Sequence, residues 1–185
     1  MKKRVNIMIG RFQPFTKGHY KCIEEAWKKK RVPTIICMIN TDDAKVDKKH
    51  PFPSSMLLPL YKEFFKNDRK IIDIILVKNA DIVSIGELLH NQYNIVSWTC
   101  GTDRIDSYRR MSEKYHDQAH LSDSFEMIEV KRSDEDVSAT KVRQALLDDD
   151  KKLFYKLTPL VSLNTFLNID PFDVLRRQIL RVYDN

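Results

Sequence analysis

The sequence predicts an α/β fold in which a parallel sheet of five strands is covered on both faces by helices and followed by a small helical subdomain. Three observations support this prediction. The strand-like runs are apolar along their whole length instead of alternating, a pattern typical of strands buried on both faces. Segments of helical period separate these runs, as the connections between parallel strands require. The last third of the chain shows helical periodicity alone.

The predicted strands are short and rich in β-branched residues. The first covers 5–9 (VNIMI), and the others are expected at 33–40, 71–77, 94–99 and 125–130. Helices are predicted where apolar residues recur every three or four positions, at 20–30, 54–67 and 83–91.

The carboxyl-terminal third is predicted to be helical from Thr140 onward, with interruptions at Pro159 and Pro171. Three leucines are expected to dock this part: Leu157, Leu160 and Leu163. We therefore predict two domains, a core over 1–137 and a helical subdomain over 138–185.

Composition limits the classes of protein to which the chain can belong. Its 185 residues, 42% of them hydrophobic, suffice for one domain with an ordinary core. No apolar run reaches the roughly 20 residues of a membrane span, and the amino terminus lacks signal-peptide features, so we expect a cytoplasmic protein without a membrane partner. The net charge of +6 is spread among interleaved charges without a nucleic-acid-binding pattern, which favours a polyphosphate ligand over nucleic acid. Cys22, Cys37 and Cys100 lack metal-type spacing and are expected to be reduced core residues.

The segment GRFQPFTKGH, residues 10–19, follows the first strand and contains two of the four glycines, Gly10 and Gly18. In a parallel sheet, ligands bind beyond the carboxyl ends of the strands. Glycine lets a ligand approach the main chain, and a helix that begins near Gly18 would direct its free amides at that ligand. We therefore predict a phosphate site, although neither the Walker spacing nor G-x-G-x-x-G occurs.

Two further segments carry polar residues after predicted strands. In WTCGTDR, Gly101 ends the fourth strand and Asp103 and Arg104 follow it, although a turn that caps the next helix explains this segment better when it is taken alone. Trp98 in the same segment is expected to be packed. In VSATKVRQAL, residues 137–146, Ser138 or Thr140 can cap a helix. Lys141 and Arg143 then lie in its first turn, where the helix dipole disfavours cations unless an anion is bound.

Taken together, the segments resemble the signatures of the nucleotidylyltransferase superfamily. GRFQPFTKGH is similar to G-x-F-x-P-x-H-x-G-H, and particularly to the archaeal-type nicotinamide-mononucleotide adenylyltransferases. VSATKVR is similar to I-S-[SG]-T-x-[VI]-R, about 120 residues later, and GTDR resembles a G-[ST]-D-[RK] stretch between the two. Thr16 departs from the pattern, because it stands in the place of the first motif histidine, as it does in pantetheine-phosphate adenylyltransferases and in some nicotinamide-mononucleotide enzymes. KKHPFPSS, residues 48–55, resembles an N-P-F-T region of the archaeal-type enzymes or is only a proline-rich loop.

The resemblance implies a Rossmann-like core, a triphosphate site completed by the helical subdomain, and no metal ligands from the protein. Catalysis is expected from His19, Arg143 and Lys17. Nucleotide or substrate binding is expected from the other motif residues: Gly10, Arg11, Phe12, Thr16, Gly18, Gly101, Asp103, Arg104, Ser138, Thr140 and Lys141. For Phe12, as for Phe15, the residue pattern favours a role in anchoring the loop to the core.

The implied reaction is attack by an acceptor phosphate on the α-phosphorus of a nucleoside triphosphate, with release of pyrophosphate. Transfer of AMP from ATP to nicotinamide mononucleotide (NMN) is the leading expectation, and Mg²⁺ would bridge the phosphates. Transfer to 4'-phosphopantetheine and cytidylyl transfer to an alcohol phosphate remain alternatives. A regulatory module that binds nucleotide without catalysis is the alternative outside the enzymes. Because relatives are often dimers or hexamers, a homo-oligomer is expected.

Overall fold

Five parallel strands form a single sheet in the computed structural model, which describes residues 2–131, 138–161 and 169–184. The strands are β1 (Lys3–Gly10), β2 (Thr34–Ile39), β3 (Ile71–Val77), β4 (Tyr93–Gly101) and β5 (Leu121–Val130). Their order in the sheet is β3-β2-β1-β4-β5, and every neighbouring pair is parallel. The predicted fold class is confirmed.

The order of the strands creates a switch point beside β1. Strands β2 and β3 follow β1 on one side, with β3 at the edge of the sheet. The chain then crosses back, and β4 and β5 lie on the other side of β1. Ligands of open α/β sheets bind at such a point, outside the carboxyl ends of the strands. Gly10 ends β1 and Gly101 ends the neighbouring β4, so both glycines lie at this edge of the sheet.

Seven helices connect or follow the strands in the described residues: α1 (Lys17–Lys30), α2 (Ser54–Phe65), α3 (Ile82–Leu89), α4 (Ile105–Lys114), α5 (Ala139–Leu147), α6 (Lys151–Leu157) and α7 (Pro171–Tyr183). A short 3-10 turn covers Asp43–Lys45. No described helix has the length and apolar character needed to cross a membrane.

The strand and helix predictions are confirmed with shifted ends, and α4 was not predicted as a separate helix. The largest shift concerns β5, which begins at Leu121 instead of residue 125. The start of β5 was missed because LSDS, residues 121–124, is mostly polar and lacks the apolar pattern of a buried strand. In this region the pairing of β4 with β5 shifts register between Ile95 and Ser97. The predicted helical character after Thr140 is borne out by α5, α6 and α7. Of the three docking leucines, Leu160 is fully buried, and Leu163 lies outside the described residues.

Contacts between Cα atoms divide the described residues into two units. The first unit consists of the described residues within Met1–Gly10, Lys21–Ile39 and Asp68–Asp134, and it contains the sheet. The second consists of those within Arg11–Tyr20, Asn40–Asn67 and Glu135–Asn185. The predicted division into continuous domains at residue 137 stays a prediction.

A buried polar cluster joins three central strands of the first unit. The Asn6 side chain, which is fully buried, donates from Nδ2 to Thr34 Oγ1 at 3.0 Å. Its Oδ1 accepts hydrogen bonds from Ser97 Oγ at 2.9 Å and Thr99 Oγ1 at 2.8 Å. Because a buried amide without partners is costly, this network favours one register among β1, β2 and β4.

The cysteine prediction is confirmed. Cys22, Cys37 and Cys100 are all buried and free of disulfides. Burial raises the pKa of Cys37 well above its ordinary value and that of Cys100 to about 11, so both thiols stay protonated near neutral pH.

Gly86 allows α3 to lie directly against the turn that precedes β5. A Cβ atom on Gly86 would meet the Ala119 carbonyl oxygen at 2.1 Å and the Ala119 Cα at 2.8 Å. Both contacts are with backbone, which cannot rotate away as a side chain could. The close approach of helix and turn therefore requires glycine at this position.

We expect Gly86→Ala to destabilise the protein by about 1–3 kcal/mol, because the methyl group forces α3 away from Ala119. On an open helix the same change would instead stabilise by roughly 1 kcal/mol. Urea unfolding measures the difference. Leu88→Ala, at a position 61% exposed on the same helix, serves as the control and should change stability by no more than about 0.5 kcal/mol. A more stable Gly86→Ala variant would contradict the close packing.

Candidate functional site

The loop between β1 and α1, residues 11–16, is buried from Phe12 to Thr16. It forms no helix or strand, so its backbone polar groups need other partners. The Tyr61 hydroxyl donates to the Phe12 carbonyl at 2.8 Å and accepts from the Phe15 N–H at 2.9 Å. Thr158 Oγ1 donates to the Phe15 carbonyl at 2.8 Å. Burial raises the pKa of Tyr61, which keeps the donating proton in place.

Gln13 attaches this loop to the segment that precedes α2. Its Nε2 donates to the Phe52 carbonyl at 2.7 Å, and its Oε1 accepts from the Phe52 N–H at 3.0 Å. The amide thus pairs with one residue's backbone as a neighbouring strand would. Phe52 itself is fully buried. KKHPFPSS was open to two interpretations, an N-P-F-T-like region or a proline-rich loop. Through the HPF part of this segment, residues 50–52, it supports the loop at residues 11–16.

Thr16 and His19 form a reciprocal capping pair at the start of α1. Thr16 Oγ1 accepts from the His19 N–H at 3.2 Å, while His19 Nδ1 accepts from the Thr16 N–H at 3.0 Å. This is the arrangement of a capping box, with histidine in the place usually taken by Glu or Gln. A backbone N–H can only donate, so Nδ1 is the unprotonated nitrogen and the ring's proton lies on Nε2.

Two aromatic rings hold the His19 imidazole at the amino end of α1. The centroid of the Phe12 ring lies 5.0 Å from it and that of the Phe15 ring 5.3 Å, both in edge-type geometry. Phe12 adopts a positive φ of 51° and is buried. The expected anchoring role of Phe12 and Phe15 is confirmed, and the ring that carries the Nε2–H group has a fixed position.

Arg143 of α5 reaches the same loop. Its Nη1 donates to the Gln13 carbonyl at 2.7 Å, and its Nη2 donates to Thr140 Oγ1 at 3.1 Å. Partial burial lowers its pKa, whereas Tyr183 and Asp47 oppose this shift. An arginine remains charged near pH 7 even so. The loop that ends at Thr16, the capping partner of His19, is therefore also in contact with the positively charged side chain of Arg143.

Helix α7 supports the segment around residues 47–52. The Tyr183 hydroxyl donates to the Lys48 carbonyl at 3.0 Å, and Gln178 Nε2 donates to the Pro51 carbonyl at 3.1 Å. The helical tail of the second unit thus supports the segment that precedes α2.

The start of α5 confirms the predicted cap. Ser138 is the N-cap residue, and its Oγ accepts from the Lys141 N–H at 3.2 Å. Thr140, the alternative cap, lies inside the helix. Lys141 is exposed in the first turn, and Arg143 follows two residues later. Lys141 thus lies near the positive end of the helix dipole, as predicted, whereas Arg143 is the fifth residue of α5 and lies beyond its first turn.

The glycine-aspartate segment belongs to the first unit, whereas His19, Thr16 and Arg143 belong to the second. Gly101 accepts from the Arg104 N–H at 3.1 Å in a tight turn before α4. Arg104 is the N-cap residue of α4, and its side chain makes no capping bond. Its Nε lies 3.8 Å from Asp103 Oδ2. Trp98 is fully buried and stacks on Tyr108 at 4.1 Å, which confirms the packed interpretation.

The remaining predicted residues lie around the first turn of α1. Lys17 and Gly18 are the first two helical residues, whose amides lack partners within the helix. Arg11 and Lys17 are exposed. The contacts of Gln13, Tyr61, Thr158 and Tyr183 were not predicted from the sequence. The Thr-x-x-His spacing was the one available signal for the capping pair, because it differs from a capping box only in its last residue.

Comparison with known proteins identifies the family. A family model described as Cytidylyltransferase-like matches residues 7–145, which is more than half of the chain. The chain belongs to the cytidylyltransferase-like family. The match includes every site residue predicted from the sequence, from Gly10 to Arg143. Membership in this family indicates a nucleotidyltransferase. No curated protein sequence matches the chain.

Solved structures support the fold. The Plasmodium falciparum nicotinic acid mononucleotide adenylyltransferase complexed with NaAD is similar at 14% identity with a TM-score of 0.57, covering 92% of this chain and 98% of that chain. The same Plasmodium protein complexed with APC is similar at 14% identity with a TM-score of 0.53, covering 98% and 96%. At this identity the similarity shows a common fold.

We expect Thr16→Val to lower stability by about 1–2 kcal/mol, because the Oγ1 cap of α1 is lost at nearly constant volume. Thr16→Ser keeps the hydroxyl and should recover about half of this loss or more. Urea unfolding measures both variants, and the chemical shifts of the His19 ring nitrogens report whether Nδ1 remains unprotonated. Equal stability of the valine variant and the wild type would contradict the capping pair.

Proposed function

We propose that this nucleotidyltransferase transfers AMP from ATP to nicotinamide mononucleotide, yielding NAD and pyrophosphate. The observation that carries the proposal is the hydrogen bond from the Thr16 N–H to His19 Nδ1. His19 Nδ1 is thus occupied, which leaves the proton on Nε2, and the ring sits at the amino end of α1. Such a neutral donor beside a helix amino terminus suits a phosphate oxygen.

The acceptor phosphate is itself the nucleophile, so the reaction requires no covalent intermediate with the enzyme. It attacks the α-phosphorus in line with the departing pyrophosphate. His19 Nε2–H and the amides of Lys17 and Gly18 would stabilise the charge on the α-phosphate. Catalysis then consists of positioning the two substrates and neutralising charge on the leaving group.

Cations of the second unit would hold the triphosphate tail. Arg143 is oriented by Gln13 and Thr140, so its guanidinium is arranged before substrate binds. Lys17, Lys141 and Arg11 are exposed and would contact further phosphate oxygens. The resemblance assigns ribose and phosphate contacts to Gly101, Asp103 and Arg104, and these roles stay predictions.

Mg²⁺ is proposed to enter with the nucleotide. The side chains that bond to the loop backbone carry hydroxyl groups, an imidazole and a guanidinium. These groups suit phosphate better than they suit a hard cation, which prefers carboxylate and water oxygens. When bound, the ion would supply positive charge between the phosphates, and the phosphates themselves would hold it.

The choice of acceptor rests on two supports. The GRFQPF and HPF segments resemble those of archaeal-type enzymes that use NMN, and in this structure Gln13 and Phe52 join the two segments. The Plasmodium protein of similar fold is a nicotinic acid mononucleotide adenylyltransferase, which favours a pyridine mononucleotide. Thr16 is the feature shared with enzymes that use 4'-phosphopantetheine, so that acceptor is included in the test.

We expect pyrophosphate release with ATP, Mg²⁺ and NMN to exceed release with any other acceptor. The panel contains NMN, nicotinic acid mononucleotide, 4'-phosphopantetheine and an alcohol phosphate, each with ATP and with CTP. Chromatography identifies the dinucleotide formed. Preference for another acceptor would reject NMN but keep the reaction class. Absence of pyrophosphate in every mixture, with micromolar binding of a dinucleotide, would indicate the regulatory alternative.

We expect His19→Asn to lower kcat by roughly a hundredfold or more, because one preorganised donor to the phosphate is lost. An asparagine oxygen can still accept the Thr16 N–H, so the cap of α1 should be kept. Circular dichroism and thermal unfolding check that the fold is intact. His116→Asn, which changes a half-exposed histidine of the first unit, is the matched control and should retain wild-type turnover. Near-normal turnover of His19→Asn would refute the assigned role.

A further inference from the structure

Glu87, His90 and His120 form a cluster of potential metal ligands in the first unit. One ligand atom from each lies within 4.8 Å of the other two. His120 Nε2 is 2.9 Å from Glu87 Oε1, and His90 Nε2 is 3.6 Å from Glu87 Oε2. Each imidazole therefore approaches a different oxygen of one carboxylate. None of the three residues belongs to the segments that resemble nucleotidylyltransferase signatures.

The spacing of these atoms suits a small transition-metal ion. In tetrahedral coordination with bonds of about 2.0–2.1 Å, neighbouring ligand atoms are separated by about 3.3 Å. The observed N to O distances, 2.9 Å to Oε1 and 3.6 Å to Oε2 of Glu87, are of this order, and one ligand atom from each of the three residues lies within 4.8 Å of the other two. Two imidazoles and one carboxylate are a ligand set that Zn²⁺ accepts, with water in the fourth position. Mg²⁺ prefers an all-oxygen set.

The backbone brings His120 to α3 by two specific features. Glu87 and His90 lie three residues apart on α3 and its C-cap, so they share one face. His120 has a positive φ of 51°, and its turn is closed by bonds from the His120 N–H to Asp117 and from the Leu121 N–H to His116. A histidine in this conformation is uncommon and can mark a functional position.

Gly86 is the second feature, because only glycine lets Ala119 approach α3 so closely. Ala119 and Gly86 directly precede His120 and Glu87 in the chain. The contact therefore brings His120 beside the end of α3. There the imidazoles of His90 and His120 stack, with 4.2 Å between their centroids and 15° between their planes.

We propose that Glu87, His90 and His120 bind Zn²⁺ or a similar divalent transition-metal ion, with solvent completing the coordination. All three side chains are half-buried or exposed, so an ion can reach them. The site lies within the first unit, and its existence does not depend on the proposed nucleotide chemistry. It would join α3 to the turn before β5.

The test is a Zn²⁺ titration of the full chain after treatment with a chelator, in competition with a chromophoric zinc indicator. We expect one equivalent to bind with a Kd near or below about 10 μM. His90→Gln and His120→Gln should each weaken binding by at least roughly tenfold. Millimolar Mg²⁺ should leave the isotherm unchanged. Bound Zn²⁺ should also raise the thermal unfolding temperature of the wild type.

His116→Gln is the matched control, because His116 lies in the same turn but outside the cluster. It should bind Zn²⁺ within about twofold of the wild type. Circular dichroism confirms that each variant is folded. Failure of the wild type to bind at about 100 μM Zn²⁺ would overturn the proposal. Equal affinity in the wild type and both cluster variants, or displacement by Mg²⁺, would overturn it as well.

Discussion

The loop at residues 11–16 depends on one constraint, which is that its buried backbone must be hydrogen-bonded without regular secondary structure. Tyr61, Thr158 and Arg143 satisfy its carbonyl and amide groups from three separate parts of the second unit. Each bond to a buried backbone group prevents a desolvation cost of about 1–3 kcal/mol. Side chains that are distant in sequence therefore hold the loop in one conformation. Because α1 follows the loop directly, the position of its first turn is fixed as well.

The capping pair fixes the orientation of the His19 ring. Thr16 bonds both to the helix and to the imidazole, since its hydroxyl oxygen accepts from the His19 N–H and its own N–H donates to His19 Nδ1. In doing so it selects the tautomer that has its proton on Nε2. Threonine in the place of a motif histidine is thus compatible with a working site, because it organises the histidine that remains.

The four glycines have separate physical uses. Gly10 and Gly101 end neighbouring strands at the switch point of the sheet, and Gly18 lies in the first turn of α1. Gly86 instead permits a close helix-to-turn contact, and with it the stacked pair of His90 and His120. The histidine cluster could not be found from spacing, because His120 is 30 residues beyond His90 and reaches it through a turn in the left-handed conformation.

The sequence by itself determined the parallel α/β fold, the buried cysteines and the residues in which to look for a phosphate site, and it limited the cap of α5 to Ser138 or Thr140. These follow from local pattern, since apolar runs, helical periodicity and capping residues act within a few positions. Only the tertiary structure decided that Gln13 pairs with Phe52, that Arg143 bonds to the Gln13 carbonyl, and that His19 carries its proton on Nε2. The Gln13 and Arg143 contacts join residues 39 and 130 positions apart, and the His19 proton depends on the direction of one short-range bond. Neither kind of information is present in composition or periodicity, because both depend on where the folded chain places donors and acceptors in space.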